Sequence, residues 1–238
     1  MRHILSTIAL APLLLWQGRR VRAEVPRLPE PTGERHGTVG SGLQLKLLIV
    51  GDSAAAGVGA ETQSEALSGA VLSVLQDSFE VRWKLIATTG HTTADALAEL
   101  VALASEPFDV VITSLGVNDV TSQHSLKKWQ RQQLDLVAAL KLRFDAGQIY
   151  LSGLPPMHRF PALPQPLRWY IGSRARQFDR ELERLVQQVP NCEFVALNFS
   201  GLGTDAMASD GFHPGPEIYR QWGDELARRI KLRHGVPQ

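Results

Sequence analysis

The sequence has 238 residues, of which 44% are hydrophobic and 21% charged, and its 25 Lys and Arg nearly balance its 24 Asp and Glu. This size and composition fit one globular α/β domain with an N-terminal extension. A net charge of +1 gives no basic field for nucleic acid, so we expect no nucleic-acid partner. The single cysteine, Cys192, excludes an intramolecular disulfide.

The N-terminus carries an apolar run over residues 4–16, preceded by Arg2 and His3. The run is shorter than the roughly 20 residues of a spanning helix, and it is typical of the apolar part of a signal peptide. Arginines at 19, 20 and 22 argue against cleavage, because cationic residues hold a flank in the cytoplasm. We therefore expect residues 1–23 to be a signal or membrane-anchor segment. The protein is then exported or anchored, in the periplasm or at the inner membrane of a Gram-negative-type cell; a cytoplasmic location is the alternative.

Residues 24–42 are rich in proline and glycine and are interpreted as a linker, which makes residues 43–234 the folded domain. Apolar runs in this domain alternate with segments of helical periodicity, which predicts parallel strands joined by helices. The predicted strands cover residues 45–50, 81–87, 108–114, 148–152 and 193–197. The sequence thus predicts a five-stranded parallel sheet covered on both faces, with the carboxyl ends of its strands at one edge.

Polar and glycine residues follow several of these strands, where the edge of such a sheet builds sites. Ser53 follows the first strand and is the candidate nucleophile, because small neighbours leave its hydroxyl accessible. His213 is the candidate base, and Asp210 can hold its imidazole in the required tautomer. The N–H groups of Ser53 and Gly90 and the side-chain amide of Asn118 are predicted to form an oxyanion hole.

Neighbouring polar residues are assigned lesser roles. Asp52 and Asp119 are interpreted as structural residues that bond loop amides, and His91 as a residue at the rim of the site. The sequence has no His-Glu-x-x-His motif and no Cys/His cluster, and its glycine-rich loop lacks the P-loop Lys-Ser/Thr. We expect neither a metal nor a cofactor.

These residues give the chain a resemblance to the SGNH (GDSL-type) hydrolase superfamily, over about residues 45–232. The family's marks are a Ser in Gly-Asp-Ser, a Gly, an Asn in Gly-x-Asn-Asp and a His in Asp-x-x-His. They correspond to Ser53, Gly90, Asn118 and His213, with Asp210 as the acid. The resemblance implies a three-layer α/β/α sandwich of flavodoxin-like type and metal-free hydrolysis of carboxylic esters or thioesters. Ala54 stands where the family's popular name implies Leu, which leaves the subfamily open.

The substrate is less well determined. Residues 154–170 form an apolar, proline-rich segment after the fourth strand, and it either lines the site or covers the edge of the sheet. If it lines the site, Met157 and Phe160 are its candidate substrate contacts. We expect an esterase or lysophospholipase-like activity on short to medium acyl esters. O-deacetylation of a carbohydrate or cell-wall polymer is the alternative reaction, and a catalytically silent binding domain is the alternative from outside the enzymes.

Overall fold

The computed structural model describes residues 2–122, 124–198 and 202–236, with side chains from residue 10 onward. Its centre is a six-stranded sheet with the order β1-β3-β2-β4-β5-β6. The strand β1 is antiparallel to β3, and all other pairs are parallel. The strands are β1 (His36–Val39), β2 (Leu43–Gly51), β3 (Phe79–Ala87), β4 (Val110–Ser114), β5 (Gln148–Ser152) and β6 (Cys192–Val195).

Helices cover both faces of this sheet, so the predicted three-layer α/β/α fold is confirmed. They are α1 (Arg2–Glu24), α2 (Ser53–Ala56), α3 (Leu67–Leu75), α4 (Thr93–Ala102), α5 (Val117–Thr121), α6 (Leu126–Phe144), α7 (Leu167–Val186) and α8 (Pro216–Arg233). The helices α3 and α8 pack together in one layer, and α4, α6 and α7 form the other. Two short 3₁₀ turns, Met157–Arg159 and Thr204–Ala206, lie in the loops around the site.

The central strand β2 shows why its sequence is a continuous apolar run. Leu47 and Ile49 face the layer of α3 and α8, whereas Leu48 and Val50 face the opposite layer. All four side chains are fully buried. Alternate residues of a strand point to opposite faces, so a strand covered on both faces must be apolar at every position.

The sheet has six strands rather than the predicted five. The additional strand, β1, lies inside residues 24–42, which the sequence predicts to be a linker. It pairs with β3 from His36↔Lys84 to Val39↔Val81, and the N–H of Leu85 extends this pairing by donating to Arg35 O at 2.7 Å. A four-residue edge strand with one apolar side chain has no detectable periodicity, because its conformation depends on backbone hydrogen bonds to the neighbouring strand.

The N-terminal helix α1 packs against the domain along one face. Leu14 is buried in the core beside α7. The Gln17 side chain is also buried, donating to Gln165 O at 2.7 Å and accepting from Leu167 N–H at 3.1 Å. No helix in the described part of the chain is both long enough and apolar enough to cross a bilayer.

The register of the central strands determines where the candidate residues meet. Gly51 at the end of β2 is paired with Ala87 of β3 and with Ser114 of β4. The loops that follow these three strands therefore start side by side. The connection from β2 to β3 passes over one face of the sheet through α3, and the connection from β3 to β4 passes over the other face through α4. Open α/β sheets bind ligands at the point where the connections change face in this way.

Candidate active site

Ser53 is the first residue of α2 and lies directly after the central strand. Asp52 caps this helix by accepting the Ala54 N–H at 3.1 Å, which fixes the turn that presents the serine. Gly51 is required for close approach, because a Cβ there would lie 2.4 Å from the Ser114 carbonyl oxygen. Ser53 keeps only 9% of its surface exposed, so its hydroxyl is held in one environment.

His213 and Asp210 reach this serine from the loop before α8. The Nε2 atom of His213 lies 2.9 Å from Ser53 Oγ, and its Nδ1 lies 2.5 Å from Asp210 Oδ2. The other carboxylate oxygen, Oδ1, accepts the backbone N–H groups of Phe212 and His213, both at 2.9 Å. The structure thus brings the three predicted catalytic residues into one hydrogen-bonded chain with the geometry of nucleophile, base and orienting acid.

The Asp210 carboxylate is held in its charged form. Burial pushes its pKa upward, but hydrogen bonds from the His213 side chain and from the His213 and Phe212 amides outweigh burial, and the pKa falls below its usual value. Asp210 is therefore ionised at neutral pH. An ionised carboxylate keeps the proton of neutral His213 on Nδ1, which leaves Nε2 free to accept the serine proton.

Gly90 lies in an exposed turn after β3, whereas Asn118 lies in α5 after β4 and contacts Asp52, the neighbour of Ser53. Gly90 has a φ of +89°, a conformation that favours glycine, and no described residue accepts its N–H. The Asn118 amide donates to His91 O at 2.9 Å, and its second contact, to Asp52 Oδ2, is a long 3.4 Å. The first bond holds the amide group in place, and the long second contact leaves its other N–H without a strong acceptor and thus available to an oxyanion.

The remaining predicted polar residues support these loops. Asp119 is fully buried and accepts the Thr93 N–H at 3.0 Å and the Thr93 hydroxyl at 2.9 Å, which ties α5 to the start of α4. Burial raises the pKa of Asp119, and these two bonds oppose that effect. His91 lies 3.5 Å from Glu99 and contributes its carbonyl to Asn118.

A cavity of about 100 Å³ opens beside Ser53 and His213. Phe160 forms part of its wall, in edge-on contact with Phe212 at 5.2 Å between ring centres. Met157 differs from the prediction, since its side chain is fully buried in the core and does not line the cavity. The segment after β5 therefore lines the cavity through Phe160 and contributes to the core through Met157. Most of the lining is apolar, including Leu115, Val117, Pro155, Pro156, Leu197 and Ile218.

Comparison with known proteins decides the family. Residues 49–221 match the GDSL-like Lipase/Acylhydrolase family. The chain belongs to this family. The resemblance found in the sequence is thereby confirmed, and the family and its structural relatives support ester hydrolysis as the general activity. A comparison with functionally curated proteins finds no match.

Solved structures share the fold of this GDSL-family protein. The carbohydrate acetylesterase Est24 from Sinorhizobium meliloti is 18% identical, with a TM-score of 0.59, over 79% of this chain and 99% of that chain. The psychrotrophic esterase EstA from Pseudoalteromonas sp. is 21% identical, with a TM-score of 0.60, over 80% and 98%. The aryl esterase of M. smegmatis is 19% identical, with a TM-score of 0.61, over 79% and 99%.

Two residues of α8 support the site although they belong to none of the GDSL-family sequence motifs. Trp222 lines the cavity from α8 and donates to Ser152 Oγ at 3.2 Å. Tyr219, one turn earlier and fully buried, donates to Val58 O at 2.7 Å and so ties α8 to the loop after Ser53. The helical periodicity of α8 predicts only that these side chains are buried, because which loop they contact depends on the tertiary fold. Among the described residues, no group of three or more His, Cys, Asp or Glu side chains is arranged to bind a metal.

Asp52 is a buried carboxyl of this site whose pKa is strongly raised. Its pKa is raised from 3.8 to about 7, mainly by burial. The Ala54 amide and His213 oppose this rise, and the charge of Asp119 adds to it. The folded protein therefore binds this proton more tightly than the unfolded chain does. Stability from this group is fully present below pH 3.8, and it is lost as pH rises toward about 7.

We expect Asp52→Asn to stabilise the protein relative to wild type at pH 8 and much less at pH 5. The upper limit is about 4 kcal/mol, from about 1.4 kcal/mol for each unit of pKa. Urea unfolding of both proteins at the two pH values measures the difference. The exposed Asp77→Asn is the control and should show no such pH dependence. An Asp52→Asn effect of equal size at both pH values would contradict the assignment.

Proposed function

We propose that the protein hydrolyses short-chain carboxylic esters through an acyl-enzyme on Ser53. The observation that carries this proposal is the hydrogen-bonded chain Ser53–His213–Asp210 beside a small apolar cavity. Its volume of about 100 Å³ is well below the roughly 300–1,000 Å³ of pockets that enclose drug-sized ligands. A short acyl group suits such a cavity better than a long chain.

The proposed reaction has two steps, and in each of them His213 first accepts a proton and then donates it. His213 Nε2 takes the Ser53 proton while Oγ attacks the ester carbonyl, and the oxyanion is held by the Ser53 and Gly90 amides and by Asn118. Collapse of the intermediate breaks the bond to the alcohol oxygen, which takes the proton from His213. Water then attacks the acyl-enzyme, again giving its proton to His213, and Ser53 leaves with that proton as the acid is released.

A series of p-nitrophenyl esters from acetyl to palmitoyl tests the acyl preference. We expect kcat/KM to be highest between acetyl and butyryl and to fall at least about tenfold by octanoyl, because each methylene that cannot be accommodated costs about 1 kcal/mol or more. Phe160→Leu, which reduces the wall but keeps it apolar, should move the optimum to longer chains. Activity that rises up to palmitoyl would contradict a short-acyl site.

Carbohydrate O-deacetylation is the second candidate. A small cavity also suits an acetyl group, and the chain shares the fold of a carbohydrate acetylesterase. Acetate release from a peracetylated sugar at a kcat/KM comparable to that of p-nitrophenyl acetate would favour it. A folded protein that hydrolyses none of these esters and does not react with a fluorophosphonate would instead be the silent binding domain.

We also propose that α1 holds this domain against an anionic lipid surface, after export or at the inner membrane. The face of α1 that points away from the domain exposes Leu15 at 54% and Trp16 at 55%. Exposed Arg19 and Arg20 follow, with the Arg20 guanidinium 5.5 Å from the Trp16 ring. Apolar and aromatic residues beside cations are the pattern of a helix lying in a membrane interface.

Sedimentation with vesicles tests this surface. Phosphatidylcholine vesicles containing phosphatidylglycerol should bind the full chain, and pure phosphatidylcholine should bind it several-fold more weakly. Trp16→Glu should lower binding at least about tenfold, whereas Leu142→Glu, at an 86% exposed leucine of α6, should not. Equal binding by Trp16→Glu and wild type would overturn this role for α1, and concentration-dependent self-association without vesicle binding would assign the face to a second copy.

A further inference from the structure

An arginine at the mouth of the cavity lies outside the hydrogen-bonded series Ser53–His213–Asp210. Arg159 lines the cavity together with Ser53 and His213, and it is exposed. Apart from Asp52 and His213, it is the only ionisable side chain among the described residues of the lining. A charged group at the mouth of an otherwise apolar site is a candidate for substrate orientation.

Arg159 donates its backbone N–H to Pro156 O, but its guanidinium, unlike that of most other arginines, forms no ion pair or hydrogen bond with a described residue. Arg184, Arg220 and Arg228, by contrast, each pair with a carboxylate three residues away. Its neighbour His158 has a lowered pKa, first through burial and then through the charges of Arg176 and Arg159. This part of the rim is therefore positive, and the guanidinium of Arg159 is free to bind an anion.

We propose that Arg159 forms an anion-binding subsite that selects esters bearing a carboxylate on the alcohol half of the substrate. The inference rests on the proposed function. A short acyl group occupies the small cavity, so the alcohol half lies at the open mouth, where Arg159 is exposed. A single guanidinium offers parallel N–H donors that match one carboxylate.

Two acetate esters of nearly equal size test this subsite, the anionic 4-acetoxybenzoate and the neutral 4-acetoxybenzamide, with each kcat/KM divided by the ester's alkaline hydrolysis rate to remove the difference between the leaving groups. We expect wild type to prefer the anionic ester about three- to tenfold in kcat/KM, in line with a partly exposed charge pair. Arg159→Gln should bring this ratio to about one by lowering only the rate on the anionic ester. Arg131→Gln, an exposed arginine that does not line the cavity, should keep the wild-type ratio.

Binding to the Ser53→Ala protein separates this inference from the proposed function. Titration with 4-acetoxybenzoate, followed by NMR, should give a Kd about three- to tenfold lower than for the amide, and Arg159→Gln should abolish the difference. Arg159-dependent binding without turnover in wild type would support the subsite and sink the hydrolase proposal. Turnover with a ratio that Arg159→Gln leaves unchanged, or a wild-type ratio of one, would overturn the subsite and leave the hydrolase proposal intact.

Discussion

Replacement of Ser53 by alanine is expected to lower kcat on p-nitrophenyl acetate by about 10⁴-fold or more. The reason is that the hydroxyl 2.9 Å from His213 Nε2 is the proposed nucleophile, and without it no acyl-enzyme forms. Residual turnover would come from the oxyanion donors and from binding alone. Steady-state kinetics of the purified full chain, with thermal unfolding to show that the variant is folded, measures the loss.

The matched control for this variant is Ser114→Ala. Ser114 also lines the cavity and is 7% exposed, but among the described residues His213 bonds to the Ser53 hydroxyl and not to that of Ser114. A fluorophosphonate should therefore label wild type and Ser114→Ala and leave Ser53→Ala unlabelled. Labelling of folded Ser53→Ala at the wild-type rate would show that the reactive serine is elsewhere.

Replacement of Asp210 by asparagine is expected to lower kcat by about 10³- to 10⁴-fold. The carbonyl oxygen of asparagine can still accept the Phe212 and His213 amides, which preserves the loop. Its NH₂ group would then face His213 Nδ1 and donate to it. The imidazole proton would move to Nε2, where it blocks acceptance of the serine proton.

Asp205→Asn is the control for this charge change, because Asp205 lies on the exposed turn that precedes Asp210. It should leave kcat within a few-fold of wild type. The rate of fluorophosphonate labelling should fall in parallel with kcat for Asp210→Asn, because both depend on removal of the serine proton. An Asp210→Asn enzyme that keeps kcat within tenfold of wild type would show that Asp210 does not orient the base.

The fold was largely predictable because buried parallel strands have continuous apolar sequences. The fourth predicted strand, residues 148–152, coincides with β5. Strand β1 was not predictable, because its pairing depends on β3, more than forty residues later. The docking of α1 through Gln17 likewise depends on residues about 150 positions away.

The candidate site was predictable where it consists of short motifs at strand ends. The register of β2 and β4 places Ser53 and Asn118 at the predicted edge of the sheet, and His213 reaches Ser53 there from the loop before α8. The cavity wall was not predictable, since composition alone does not show which apolar side chains face a site. Phe160 and Met157 lie three residues apart on the same segment, yet one lines the cavity and the other packs into the core.

The edge strand β1 has a consequence for how the protein can be shortened. Residues 35–39 cover the outer edge of β3 over residues 81–85, where Val81, Trp83 and Leu85 alternate with Arg82 and Lys84. A protein that begins after Val39 would present this edge uncovered, with free N–H and C=O groups along the strand. Such edges pair with other chains, so that form should precipitate or assemble edge to edge, while one that begins before Glu30 should stay dispersed.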